Sequence, residues 1–134
     1  MRLIPTLLVA AAMIMPVAGQ AAPRKAPEAQ LQDEIAGKVE GAPVDCIDTS
    51  HIRSTRVIDK TAIVYEVGRV TYVNRPASGA RSLDQWDTLV TETHSSQLCS
   101  RDTVKLFDSS TRMQTGLVLL GKFVPYRKAD RASR

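Results

Sequence analysis

A stretch of alternating apolar and polar residues between positions 53 and 74 is the feature that most constrains what this chain can fold into. Two-residue gaps divide the stretch into three runs, at 53–58, 61–67 and 70–74. Period-two alternation is typical of strands with one buried face, and gaps of two residues are the length of hairpin turns. The pattern predicts a three-stranded antiparallel meander, with Ile63, Tyr65 and Val67 on one face.

Further short strands are predicted toward the C-terminus, at 88–93 and 103–107. The apolar run 117–120, between Gly116 and Gly121, predicts a strand buried on both faces. Residues 82–86 begin with a Ser-x-x-Gln capping pattern, which predicts a single helical turn, with a loop or a strand start as alternatives. Short strands separated by Gly, Pro and Ser indicate a mainly β fold, a small barrel or sandwich built from antiparallel meanders.

One short N-terminal helix is expected before the strands. Leu31, Ile35 and Val39 follow helical spacing, and Gly41 is a stop signal. We therefore predict an amphipathic helix within 27–41. Its narrow apolar stripe favours docking on the domain or fraying over membrane binding, because the polar face is acidic.

The N-terminal segment has the three parts of an export signal. Met1-Arg2 is followed by an apolar run at 3–18 and then by small residues, which predicts cleavage after Ala21. The alternative is an uncleaved membrane anchor, but the run is too short for one and is interrupted by Pro5 and Pro16. We expect a periplasmic protein without a stable membrane anchor after signal cleavage.

Charge is concentrated at the chain ends. The net charge is +4, yet residues 26–126 hold 11 basic and 13 acidic side chains. This distribution argues against nucleic-acid binding, which needs a contiguous basic face on the folded part. We expect a signal peptide at 1–21, a flexible lead with the short helix at 22–43, one β domain at 44–126 and a basic tail at 127–134. The tail is interpreted as solvated, with contact to an anionic membrane surface or polyanion as the alternative.

Cys46 and Cys99 are the only cysteines, 53 positions apart, and neither lies in a CxxC or Cys/His cluster. In an oxidising compartment such a pair predicts a structural disulfide. A reactive thiol is the alternative, with Arg101 as a nearby cation.

His51 and His94 are the candidate bases or metal ligands. Asp45 and Asp48 precede His51 at a spacing that would gather all three on one helical turn, but they equally fit a polar loop, and no fourth ligand is evident. His94 precedes two serines without a nucleophile-elbow motif. We predict no catalytic set, no metal site and no cofactor.

Carboxylates and aromatics provide the remaining candidates for ligand chemistry. Asp84, Asp87 and Glu92 resemble the pairs used in glycoside cleavage, but such pairs are common and aromatic platforms are few. Trp86 is interpreted as packing in the core or in a lid, with ligand stacking as the alternative. A carrier cavity would be lined by Trp86, Tyr65 and Tyr72.

Four arginines are spread over the meander and its end. They could assemble into an anion-binding face, although outward charges that protect sheet edges are the simpler interpretation. The four are Arg53, Arg56, Arg69 and Arg75.

Four segments together resemble a family of small exported proteobacterial proteins, a domain-of-unknown-function family, over about residues 46–126. The segments are 46–47, 52–57, 98–103 and 120–125. The resemblance implies an exported fold without an established activity. It also implies a second cysteine pair near Gly79 and Val118, which this chain lacks, and supports Cys46 with Cys99 as the remaining pair.

The leading hypothesis is a non-enzymatic periplasmic β domain that binds or stabilises an unidentified periplasmic protein or small ligand. One alternative is a small hydrolase that uses His51 or His94. The other is a small-ligand carrier, which needs an apolar cavity.

Overall fold

The computed structural model describes Gly19 and residues 21–130, so most of the predicted leader and the end of the basic tail lie outside it. The described part of the chain is mainly β, with antiparallel sheets and one α-helix, α1, at Pro27–Ile35. The strands are β1 Lys38–Glu40, β2 Cys46–Asp48, β3 Ile52–Ile58, β4 Ala62–Val67, β5 Val70–Asn74, β6 Asp87–Thr91, β7 Gln97–Cys99, β8 Thr103–Asp108, β9 Gln114–Leu119 and β10 Phe123–Lys128. Neither α1 nor the short 3₁₀ turns among the described residues has the length and apolar character needed to cross a bilayer.

The predicted meander is confirmed. Strands β3, β4 and β5 pair antiparallel in sequence order, and β10 and β1 extend them to a five-stranded sheet in the order β1-β10-β5-β4-β3. A three-stranded sheet has the order β6-β8-β9, and β2 pairs with β7. In the part of the chain that is described, these sheets do not close on themselves. The arrangement is sandwich-like rather than a barrel.

Burial on both faces of β4 organises the core. Ile63 and Tyr65 face the β2–β7 pair and the three-stranded sheet, where they join a cluster with Leu98, Leu106 and Phe123. The intervening residues of β4 face the opposite way, as the period-two geometry of a strand requires. The five-stranded sheet therefore separates two apolar layers.

Helix α1 covers part of the second face of this sheet. Leu31 is almost completely buried against Ala62 and Val64, and Ile35 packs beside them. Glu34 pairs with Arg56 of β3, which ties the helix to the sheet edge. The helix therefore docks on the domain, which is one of the two outcomes predicted for it, fraying being the other.

The helix is shorter than predicted. Gly37 has a φ of +72°, which a helix interior does not allow, and the chain then forms β1 instead of another helical turn. Val39 is consequently 59% exposed instead of lying on an apolar stripe. The predicted helix at 27–41 is therefore correct only over Pro27–Ile35.

Two other local predictions need correction. The helical turn lies at Ala80–Ser82, after Gly79 in the left-handed conformation, so Ser82 ends it, and residues 83–86 form the loop that was the alternative. The run 117–120 is not buried on both faces. Val118 and Leu120 are buried, but Leu117 is 48% exposed, since only one face of the three-stranded sheet is covered.

The structure contains a disulfide between Cys46 and Cys99, which lie directly opposite each other in β2 and β7. Their Cα atoms are 4.0 Å apart. The strands are only three residues each, so the cross-link joins two short elements that are 53 positions apart in sequence. A link over a loop of this length greatly restricts the unfolded chain.

Reduction of the disulfide is expected to lower the free energy of unfolding by about 4 kcal/mol, because the cross-link restricts the unfolded ensemble. Urea denaturation with and without reductant measures this difference. The C46S/C99S double variant should have the stability of the reduced protein and show no response to reductant. Equal stability of the oxidised and reduced wild type would contradict the prediction.

Asn74 connects β5 to the turn before β10. Its side chain is fully buried, donates from Nδ2 to the Gly121 carbonyl at 2.8 Å and accepts from the Gly121 N–H at 3.0 Å. A Cβ at Gly121 would collide with the Arg75 carbonyl oxygen, so glycine is required for this close approach. One amide side chain thereby satisfies two backbone groups of a turn between strands.

Asn74→Ala should lower the free energy of unfolding by about 2–4 kcal/mol, because it leaves both Gly121 groups without this partner and opens a cavity. Ser54→Ala, on the exposed surface of β3, is the control and should change stability by less than about 0.5 kcal/mol. Urea denaturation of the oxidised proteins provides the comparison. Similar stabilities for the two variants would show that the Asn74 side chain does not stabilise the fold.

Candidate anion-binding cleft

The first histidine lies in an exposed turn. His51 ends the 3₁₀ turn Thr49–His51, and its Nδ1 is 3.0 Å from an Asp48 carboxylate oxygen. Hydrogen bonds from Ser50, and then from His51, hold the pKa of Asp48 below its usual value. Asp45 instead accepts a hydrogen bond from Ser100. The three candidate ligands are therefore not gathered at one point, and the described residues hold no group of three potential metal-ligating side chains.

The second histidine is also exposed. His94 lies in the connection between β6 and β7, where the adjacent Ser95 hydroxyl accepts from the Gln97 N–H at 3.2 Å. This hydrogen bond is a local turn contact. Neither histidine lines the clefts described below.

The candidate carboxylates are engaged separately. Asp84 accepts from the Trp86 N–H at 2.9 Å, Asp87 accepts from the Thr115 hydroxyl, and Glu92 pairs with Lys105. The lysine holds the pKa of Glu92 below its usual value. These contacts cap a turn and link parts of the three-stranded sheet, and they do not aim two carboxylates at one point.

The three candidate aromatic residues do not share a cavity. Tyr65 and Tyr72 are cross-strand partners packed in the core, and the ring of Tyr65 meets Phe123 edge-on with centroids 5.8 Å apart. Burial raises the pKa of Tyr65, and its hydroxyl has no hydrogen-bond partner among the described residues. Trp86 is 66% exposed, with the Arg24 guanidinium 5.9 Å from its ring centroid. Its position contradicts packing in the core and leaves its ring accessible.

The structure divides the four arginines into two groups. Arg56 pairs with Glu34, and Arg75 binds both carboxylate oxygens of Glu28, which lowers the pKa of that carboxyl. Both acids belong to α1. Arg53 and Arg69 instead lie together at the far end of the five-stranded sheet.

These two arginines belong to a basic cleft of about 760 Å³. Its cationic residues are Lys38, Arg53, Arg69, Arg127 and Lys128. Among the described residues that line it, Glu66 and Asp130 are the acidic ones, so these charged residues sum to +3. The cleft lies where the β4–β5 turn meets the start of β1 and the end of β10.

Local hydrogen bonds fix the walls of the basic cleft. The Gly68 N–H donates to the His51 carbonyl at 3.2 Å, and Arg53 donates to the Gly68 carbonyl at 3.3 Å, so the β4–β5 turn is attached to β3. On the opposite side, Lys38 donates from Nζ to the Glu34 carbonyl and to the Thr71 hydroxyl, both at 2.8 Å. The first of these bonds places a cation at the C-terminus of α1, where the helix dipole favours it.

Like charges are placed close together in the basic cleft. Lys38 and Lys128 are directly opposed in the β1–β10 ladder, a pairing that is unfavourable unless a counter-charge is present. Arginine and lysine side chains in one concave site attract and bind anionic groups through charge-assisted hydrogen bonds. The arrangement is chemically suited to a ligand that carries several negative charges.

The sequence pattern did not identify three of the five cations. Lys38 was expected on the polar face of a helix, and Arg127 and Lys128 in a solvated tail. The apolar run 123–126, directly before Arg127 and Lys128, was the available signal that a strand continues into the basic segment.

No family model, curated protein or solved structure matches the chain. The resemblance to a family of exported proteins therefore stays a prediction. Gly79 and Val118, where that resemblance implies a second cysteine pair, are adjacent in the structure. A Cβ built on Gly79 would lie 3.1 Å from the Val118 Cα.

The Tyr65 hydroxyl has no hydrogen-bond partner among the described residues, so its effect on stability can be tested by removing it. Tyr65→Phe should raise the free energy of unfolding by about 1 kcal/mol, because it removes a buried polar group that lacks a hydrogen bond. Tyr72→Phe, on the opposite strand, is the control and should change stability by less than about 0.5 kcal/mol. Denaturant unfolding measures both. A clear loss of stability in Tyr65→Phe would show that the hydroxyl is satisfied in solution.

Proposed function

We propose that this chain is an exported, non-enzymatic β domain that binds a multiply charged anionic ligand in the basic cleft. The observation that carries the proposal is the convergence of five cationic side chains, from β1, β3, the β4–β5 turn and β10, on one concave site. Because these side chains come from separate segments, the fold itself produces the concentration of charge. A ligand with several phosphate, sulfate or carboxylate groups satisfies more of them than a single anion does.

Export is supported by the N-terminal segment and by the cysteine pair. Arg2 is followed by an apolar run at 3–18, and Cys46 and Cys99 are joined in the structure. Disulfides persist in oxidising compartments, where a small domain gains the most from them. We therefore propose that the ligand is bound in the periplasm.

The non-enzymatic part of the proposal rests on the position of the ionisable groups. His51 and His94 are exposed and lie outside the basic cleft, and the candidate carboxylates bind a turn or other strands of the three-stranded sheet. A hydrolase site would need one of these imidazoles in a pocket beside a nucleophile or a bound water. The hydrolase and carrier alternatives stay predictions that no contact described above favours.

The test compares two double variants with the same change in charge. R53A/R69A removes two arginines from the basic cleft, and R56A/R75A removes two arginines that pair with α1. A heparin hexasaccharide is the polyanionic probe, and calorimetry at several salt concentrations gives its Kd. We expect R53A/R69A to weaken binding at least tenfold and to reduce its salt dependence, because fewer counter-ions are exchanged. R56A/R75A should change the Kd by less than threefold.

Two results would overturn this function. The first is an absence of measurable binding of the hexasaccharide by the folded wild type at low salt. The second is an equal loss of affinity in both double variants, since net charge rather than the basic cleft would then govern binding. Urea denaturation of each variant confirms that the proteins compared are folded.

A further inference from the structure

The disulfide lies at one end of a continuous set of contacts that leads to the basic cleft. Cys46 and Cys99 are partners in the β2–β7 ladder, which has three residue pairs and no further strand in the described part of the chain. A two-stranded ladder is marginally stable in water by itself. The cross-link therefore fixes the register of two short strands whose cysteines are 53 positions apart.

The chain between β2 and β3 connects this fixed pair to the next element. Asp48, the last residue of β2, accepts a hydrogen bond from the Ser50 N–H at 2.8 Å and so caps the 3₁₀ turn Thr49–His51. Thr49 donates from its N–H and from its hydroxyl to the Ser96 carbonyl, directly before β7, at 2.8 and 2.9 Å. The start of the turn is thus attached to both strands of the cross-linked pair.

The other end of this turn holds one wall of the basic cleft. The His51 carbonyl accepts from the Gly68 N–H at 3.2 Å, and Arg69 follows Gly68 in the β4–β5 turn. Arg53 comes shortly after His51 and donates to the Gly68 carbonyl at 3.3 Å. Two of the cations that line the cleft are therefore positioned through the 3₁₀ turn that follows β2.

Apolar packing follows the same route. Ile47 and Leu98, the central residues of β2 and β7, are almost completely buried in the larger core cluster. Ile52 and Val67 are cross-strand partners at the start of β3 and the end of β4, and both pack against that cluster. Contiguous packed side chains and hydrogen bonds are a physical means by which one site affects another. A displacement of β2 therefore reaches the base of the β4–β5 turn.

We propose that formation of the Cys46–Cys99 bond switches the basic cleft into its anion-binding state, an inference that rests on the proposed function. When both thiols are reduced, the β2–β7 ladder loosens and the 3₁₀ turn loses its fixed start. Arg53 and Arg69 then no longer converge with the other cations of the cleft. Cations that are positioned in advance bind an anion better than side chains that have to be ordered on binding. The oxidised protein is therefore the high-affinity form.

The switch is a thiol–disulfide exchange with an external oxidant. A protein or small molecule that carries a disulfide takes up two electrons and two protons and is reduced to two thiols, while the cysteine pair gives them up and forms one S–S bond. One cysteine thiolate attacks the oxidant to give a mixed disulfide, and the other then displaces the oxidant's thiolate. Oxidants of this class act outside the cytosol. Anion binding therefore begins after export, away from the nucleic acids of the cytosol.

The heparin hexasaccharide is the probe, and calorimetry gives its Kd for three forms of the protein. These are the oxidised wild type, the wild type reduced with dithiothreitol, and C46S/C99S. We expect the reduced protein and the double variant to bind at least tenfold more weakly than the oxidised protein. Asn74→Ala is the control for lost stability, because it affects the opposite end of β5 and leaves the disulfide intact. It should bind within threefold of the wild type.

A second pair of variants tests the route with the disulfide intact. Asp48→Ala removes the cap of the 3₁₀ turn, and Asp84→Ala removes an exposed carboxylate that accepts from the Trp86 N–H in a different turn. Both remove one negative charge, which by itself strengthens the binding of a polyanion. We expect Asp48→Ala to weaken binding at least threefold and Asp84→Ala to leave it unchanged or stronger. This pair decides the proposal if the reduced protein and C46S/C99S are unfolded.

Three results would overturn the switch and leave the proposed function in place. The first is equal affinity of the folded oxidised and reduced proteins. The second is an equal loss of affinity in Asn74→Ala, which would show that stability rather than the disulfide governs binding. The third is equal affinity of Asp48→Ala and Asp84→Ala. If the oxidised wild type does not bind the hexasaccharide, the proposed function is wrong, and the switch with it.

Discussion

Burial of both faces of β4 is the constraint on which the rest of the structure depends. Alternate residues of this strand face the helix on one side and the second layer of sheets on the other, so the five-stranded sheet has to be covered twice. Helix α1 has only nine residues and covers only part of its face. The uncovered end of that face is where the basic cleft lies, beyond the C-terminus of the helix.

The same arrangement explains how the arginines differ in role. Those beneath the helix, Arg56 and Arg75, meet the acidic residues that α1 carries on its polar side. Beyond the helix, Glu66 and Asp130 balance only part of the charge of the basic cleft. Exposed ion pairs contribute little to stability. These ion pairs matter here because they neutralise Arg56 and Arg75, whereas Arg53 and Arg69 face the basic cleft.

The sequence was informative where a pattern extends over several residues. The meander from β3 to β5 was predictable because alternation over 53–74 specifies both strands and turns. Three-residue strands such as β1 and β2 are too short to show a period, and their pairing depends on distant partners in β10 and β7. Sequence spacing likewise could not show that Lys38 and Lys128 are cross-strand neighbours, 90 positions apart. The basic cleft depends on these long-range pairings, so only Arg53 and Arg69 among its cations could be nominated from the sequence.

The long-range connections of the fold lie mostly on one side, and this asymmetry leaves a cleft of about 410 Å³ beside β3 and β6. Val44 exchanges backbone hydrogen bonds with Phe123, Arg101 donates to the Leu120 carbonyl, and the disulfide joins β2 to β7. These contacts hold the two layers together along β10 and β9. On the opposite side, the contacts near Asp59 fix only one end of the gap between β3 and β6. Two layers that are fixed along one side and held at one point along the other can keep a strand-lined cleft open without losing their shared core.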